Sequence, residues 1–161
     1  MKTLFLARHA KSNWNEPGYS DFDRPLNEKG IVDAPAMAGF LKDKYNIDLI
    51  ISSDAVRALE TASAYEIALT PNRKVIHEAL LYNASRLDIS QVVKNISDEY
   101  SAVMIVGHNP GMTEMVDYFI EDDFNDMPAC GVAIVQFNIE NWSGAQINTG
   151  ELLAFEYPKK L

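Results

Sequence analysis

Short apolar runs alternate along the chain with longer stretches whose apolar residues recur every three or four positions. Thr3–Ala7 predicts a buried strand that ends in polar residues. Asn13–Asn27, rich in Pro, Gly, Asp and Asn, predicts a loop. From Glu28 to about Tyr45 the positions Val32, Ala36, Phe40 and Leu41 recur at helical spacing, and Pro35 is expected to distort that helix or mark its start. Asp48–Ile51 predicts a second strand, with Ser52-Ser53-Asp54 supplying capping side chains for a helix that runs to about Leu69. A short strand is expected at Lys74–His77 and a helix at Ile89–Tyr100. Ala102–Val106 is the strongest buried strand, followed at once by Gly107-His108-Asn109-Pro110-Gly111 and then by a helix over Thr113–Phe119. Val132–Phe137 and Leu152–Phe155 predict two further strands, joined through the turn-rich Asn141–Gly144 region. Strand–helix repetition closed by a late hairpin predicts an α/β fold, a three-layer α/β/α sandwich around a mostly parallel central sheet. With 161 residues and no linker, repeat or low-complexity tract, a single domain over 1–161 is expected.

Composition narrows the function. Hydrophobic residues make up 47% and charged residues 23%, which excludes a disordered tail or a collagen-like chain. A net charge of −9 argues against non-specific binding of nucleic acid or anionic membrane, since both need a basic face, but leaves room for a local basic pocket. Cys130 is the single cysteine, so no internal disulfide can form. The apolar run at the N-terminus stops at Arg8-His9, short of the roughly 7–15 residues of a signal-peptide core. No stretch approaches the roughly 18 apolar residues of a membrane span. A cytoplasmic protein without membrane or nucleic-acid partner is the expectation. The acidic block Glu121–Asp126 lacks the glycine and terminal glutamate of a calcium loop and reads as solvated. No His-x-x-x-His spacing supports zinc, so no metal and no cofactor are expected, and His77 reads as a strand-end residue with an ordinary hydrogen bond.

In such folds the chemistry sits in loops just past the carboxyl ends of the strands. Arg8-His9 follows the first predicted strand, His108 follows Ala102–Val106, and Arg57 falls in the first helical turn after the second strand. Three strand ends thus deliver two histidines and two arginines toward one edge of the sheet. Arginine forks suit phosphate oxygens, and a helix N-terminus near Asp54 would add backbone donors. A histidine among them can act as a nucleophile toward phosphorus. Each element alone has a plain structural alternative: a capping pair at Arg8-His9, a tight turn around His108, a solvated helix face at Arg57. Their joint placement favours the chemical reading.

These residues resemble the histidine phosphatase superfamily, and the resemblance runs along nearly the whole chain. Leu6-Ala7-Arg8-His9-Ala10 resembles the Arg-His-Gly hallmark, with alanine in place of the usual glycine. Arg24-Pro25-Leu26-Asn27 with Gly30 resembles the family's entry to its first helix. Ser52-Ser53-Asp54-Ala55-Val56-Arg57-Ala58-Leu59-Glu60-Thr61-Ala62 resembles its Ser-Ser-x-x-x-Arg-Ala-x-x-Thr-Ala segment, and Val106-Gly107-His108-Asn109-Pro110 its second histidine motif. The short length, Arg24-Pro25-Leu26 and His108-Asn109-Pro110 point to the small SixA-type branch of phosphohistidine phosphatases.

The resemblance implies a metal-independent, two-step phosphoryl transfer through a phosphohistidine on His9, with Arg8, Arg57 and His108 holding the phosphoryl oxygens and Arg24 as a further phosphate contact. The implied substrate is phosphohistidine in a protein. A small phosphorylated metabolite such as a sugar phosphate is the alternative, and a catalytically silent phosphate-binding module is the non-enzymatic one. Ester-cleaving members protonate the leaving group with a carboxylate. Glu78, just past the third predicted strand, is the candidate proton donor here. Phosphohistidine eases that demand, because the leaving imidazole, with a free pKa of about 6.5, can carry its own proton.

Overall fold

A computed structural model describes residues 1–14 and 17–161 of the chain; Asn15 and Glu16, which belong to the expected Asn13–Asn27 loop, lie outside the described residues. Six strands form one sheet: β1 (Lys2–Arg8), β2 (Leu49–Ser52), β3 (Ile76–His77), β4 (Ala102–Gly107), β5 (Val132–Phe137) and β6 (Gly150–Glu156). Their order is β3-β2-β4-β1-β5-β6. The four strands from β3 to β1 pair in parallel, and β5 runs antiparallel to both of its neighbours, β1 and β6. The helices are α1 (Glu28–Lys42), α2 (Val56–Leu69), α3 (Arg86–Lys94) and α4 (Gly111–Ile120).

The two-residue period of the strands divides the core. Leu4, Leu6, Val103, Ile105, Val135 and their neighbours pack with α3 and α4 on one face. Phe5, Ala7, Met104, Val106 and Ile134 pack with α1 and α2 on the other. The central strands are apolar on both sides, as parallel strands covered by two helical layers must be. The mostly parallel α/β sandwich expected from the sequence is present.

Several local expectations shift. In α1 the buried residues are Gly30, Ala34, Met37, Ala38 and Leu41, whereas Val32 and Ala36 face outward. The segment carries more apolar residues than one face can hold, so helical spacing fits two registers. The buried register is the one whose small residues let α1 lie close to the core. At Gly30 a Cβ would collide with the Lys11 carbonyl oxygen, so the helix start needs glycine for this approach. Pro35 sits inside α1 on the exposed side without ending the helix. The expected cap of α2 is not formed: the helix begins at Val56 behind Ala55, with no side-chain cap. The Val56 amide is taken by the Phe22 carbonyl at 3.0 Å and the Ala55 amide by Ser53 Oγ at 3.3 Å. The helix N-terminus expected to offer donors to an anion therefore spends these two on the protein itself. α3 starts earlier than Ile89 because Ser85 and Asp88 form a reciprocal capping box, and it ends at Lys94 rather than Tyr100.

Candidate active site

His9 stands just past β1 and is held by the backbones of both neighbouring strands' loops. Its N–H donates to the Gly107 carbonyl at 3.1 Å, and its own carbonyl accepts from the Cys130 N–H at 3.0 Å. Its Nδ1 lies 2.7 Å from the Ala10 carbonyl oxygen. A carbonyl only accepts, so Nδ1 carries the proton and Nε2 keeps its lone pair. Burial pushes the His9 pKa down to about 3, against the Ala10 hydrogen bond and with help from His108, Arg57 and Arg8. The imidazole is neutral at physiological pH, with the Nε2 lone pair free.

His108, after β4, packs its ring against that of His9 at a centroid distance of 5.1 Å. Its Nε2 lies 2.8 Å from Ser53 Oγ. With that hydroxyl donating, Nδ1 is the protonated nitrogen of His108, and it is buried without a partner among the described residues. Burial first, then Arg57, lowers the pKa of His108 to about 4.

Arg57 comes from the first turn of α2. Its guanidinium donates to the Asp21 carbonyl at 2.6 Å and to the Asp21 carboxylate at 3.2 Å. Arg24 donates to the same carboxylate at 2.8 Å and, through Nε, to Ser12 Oγ at 3.1 Å. Tyr82 donates to it as well, at 2.5 Å, and its ring meets that of His108 edge-on. The Tyr82 hydroxyl, with Arg24 and Arg57, pulls the Asp21 pKa down to about 2. Arg8 donates from its terminal nitrogen to the Met127 carbonyl at 2.9 Å, and burial lowers its pKa.

Thr61 ties the helix to the segment that carries His9: its hydroxyl donates to the Arg57 carbonyl at 2.8 Å and accepts from the Ala10 N–H at 2.9 Å. Ala10 itself is fully buried among the residues under α1 and α2, and its φ is not positive. The methyl group of Ala10, where the Arg-His-Gly pattern has glycine, is thus packed into the core.

Five buried side-chain polar atoms lack a hydrogen-bond partner among the described residues, and four of them belong to this cluster: Arg8 Nε, Arg24 Nη2, Arg57 Nε and His108 Nδ1. Native structures keep very few such groups unless a ligand uses them. Four donors, three of them cationic, suit a tetrahedral oxyanion. Among the described residues no group of three His, Cys, Asp or Glu is arranged to hold a metal ion.

The structure brings Arg8, His9, Arg24, Arg57 and His108 together and leaves Glu78 out. The Glu78 carboxylate accepts from the Leu80 N–H at 3.2 Å and caps the short turn Ala79–Leu81. It lines a separate hollow beside α3. His77 is exposed and faces Asp54 at 3.6 Å. The acidic block is mostly solvated, but Asp126 accepts from Asn109, which also donates to the Met127 carbonyl and so fixes the loop behind His108. Sequence reasoning missed Asp21 and Tyr82 and took Ser53 for a cap. Asp21 sits three residues before Arg24, the one signal that could have marked it.

The family model of the histidine phosphatase superfamily (branch 1) matches residues 4–85. Among solved structures, the chain is similar to a provisionally assigned phosphohistidine phosphatase SixA from Agrobacterium tumefaciens, at 30% identity and a TM-score of 0.83, with 98% of each chain covered. The protein histidine phosphatase SixA complexed with tungstate shares the fold at 20% identity and a TM-score of 0.82, again over 98% of each chain. The mycobacterial glucosyl-3-phosphoglycerate phosphatase shares it at 15% identity and a TM-score of 0.73, over 98% of this chain and 100% of that one.

Proposed function

Because the chain belongs to the histidine phosphatase superfamily and is with it a phosphatase, we propose that it removes phosphoryl groups from phosphohistidine in a protein, by way of a phosphorylated His9. His9 Nε2 attacks phosphorus while the bond from phosphorus to the leaving imidazole nitrogen breaks, and that imidazole departs neutral, carrying its own proton. Water then attacks the phosphorylated His9, releasing inorganic phosphate and restoring the neutral ring. Arg8, Arg24, Arg57 and His108 bind the phosphoryl oxygens. Their buried donors are fixed before substrate arrives, which is how electrostatic stabilisation avoids reorganisation during the reaction.

The observation that carries the substrate reading is the state of the carboxylates. Asp21 is held by two arginines and a tyrosine with a pKa of about 2, and Glu78 is turned onto its own turn. Asp21 at that pKa has no proton to give at neutral pH, and Glu78 stands outside the cluster, so a leaving group that needs no donor suits the site best. A small phosphorylated metabolite is the second reading, supported by a ligand-sized cavity beside His9. Action in the cytoplasm suits a chain whose one cysteine, Cys130, is buried and free. The test is a single-turnover reaction with a phosphohistidine peptide, quenched at alkaline pH. An acid-labile phosphate on His9 is expected, and faster turnover of this peptide than of sugar phosphates. Label on His108, or on no histidine, would overturn the assignment.

A further inference from the structure

Beside the nucleophile lies a cavity of about 390 Å3, lined in part by Arg8 and His9. Three lysines from three separate parts of the chain also line it: Lys11 just after β1, Lys29 in the first turn of α1, and Lys159 in the C-terminal turn. Among the described residues, Asp33 is the one acidic residue in the lining. Lys29 is paired with Asp33 at 2.9 Å. Lys11 and Lys159 carry no ion pair among the described residues. Among the described lining residues four cations thus face one carboxylate, in a chain whose net charge is −9. A concave region charged opposite to the whole molecule concentrates anions from solution. Its volume falls in the range of about 300–1,000 Å3 common to small-molecule sites.

The transferred phosphoryl group does not need these lysines, because Arg24, Arg57 and His108, which lie outside this lining, already supply its donors. We propose that the cavity holds a second anionic group, a carboxylate or a phosphate, of the same substrate whose phosphoryl group passes to His9. This rests on the reading of His9 as phosphoryl acceptor. The second anion lies against Lys11 and Lys159 and competes with Asp33 for Lys29. Such a group can sit on a small metabolite or on an acidic side chain next to a phosphohistidine; the charge requirement is the same. Specificity then comes from a place distinct from the reacting atoms, and binding there sets KM rather than the chemical step.

The test measures binding, by titration calorimetry on the His9→Ala protein, so that nothing is consumed. One pair of probes is 3-phosphoglycerate against glycerol 3-phosphate, which differ by a single carboxylate. The other is a phosphohistidine peptide flanked by Glu against the same peptide flanked by Gln. In at least one pair the more acidic member should bind about fivefold more tightly, an advantage that fades as salt is raised. Replacing Lys11 and Lys159 together by Gln should bring that ratio close to one, while Asp33→Asn should raise it. A separation in the small pair alone identifies a metabolite, and in the peptide pair alone a protein; either supports the site. Equal binding within both pairs, or a ratio that the lysine and Asp33 changes leave untouched, overturns it. If the ratio behaves as expected but the wild-type protein never carries phosphate on His9, the second-anion site stands and the phosphoryl-transfer reading falls.

Discussion

Four residues of the cluster follow strand ends and the others come from loops, and the two groups are held in different ways. Arg8, His9 and His108 leave parallel neighbours β1 and β4, and Arg57 follows β2. Their backbones are pinned by the sheet and by hydrogen bonds that continue it past its edge. Arg24 and Asp21 sit in the loop before α1, where charge does the positioning. The Arg57 side chain is 5% exposed and that of Asp21 is 44% exposed, so one ion pair joins a buried scaffold to a solvated one. Strand ends fix where His9 is; the loop adds Arg24 to the cations around it. Damage to the first group should remove chemistry, and damage to the second should weaken it by degrees.

The largest effect is expected at His9. His9→Ala should lower turnover by about 10⁴-fold or more while thermal unfolding stays cooperative, because the side chain adds little to either core. Next comes Arg57→Ala, with a loss of about 10²–10³ in kcat, as for removal of one fixed transition-state donor. Asp21→Asn, on the loop side, should cost nearer tenfold, since the arginines remain and lose only their anchor. Equal losses for these two would break the division between the groups, and steady-state kinetics on one phosphohistidine peptide decides it.

A smaller effect concerns acid. His9 and His108 have folded pKa values of about 3 and about 4, below the ordinary 6.5. Between 6.5 and those values the unfolded chain binds protons that the folded chain refuses. Stability is therefore full above about pH 6.5 and falls as the pH drops toward 4. Asp21, moved from 3.8 to about 2, acts in the same direction: its stabilisation is complete above its unfolded value and fades only below pH 3.8, outside this window. Melting curves from pH 7 to 4 should show the decline, and a neutral Gln at His9 should make it shallower. The smallest effect is expected for Glu78→Gln, less than twofold on a phosphohistidine peptide. A loss of about 10²–10⁴ confined to alkyl phosphates would restore Glu78 as a proton donor.

The same division explains what the sequence made legible. Apolar runs report strands, strand ends report where function gathers, and so Arg8, His9, Arg57 and His108 could be named from order alone. Arg24 came only through a likeness of motif. Asp21 and Tyr82 are 61 residues apart and meet through a single hydrogen bond, which no local pattern encodes. Ser53 was misread because a serine before a helix is usually a cap, and here a histidine claims its hydroxyl. The face of α1 was missed for a different reason: its apolar residues outnumber the positions that a helix can bury, so spacing alone leaves the register open.

The double backbone clamp on His9 has a consequence in time. An amide that completes a central sheet exchanges its hydrogen only when that sheet opens, so the His9 amide belongs with the slowest in the chain. If His9 takes the phosphoryl group as proposed, the phosphorylated ring stays where it formed, and whatever accepts that group must diffuse to it. Water, the most concentrated acceptor, then arrives before any rarer one, so the immobility of one backbone segment favours hydrolysis over transfer.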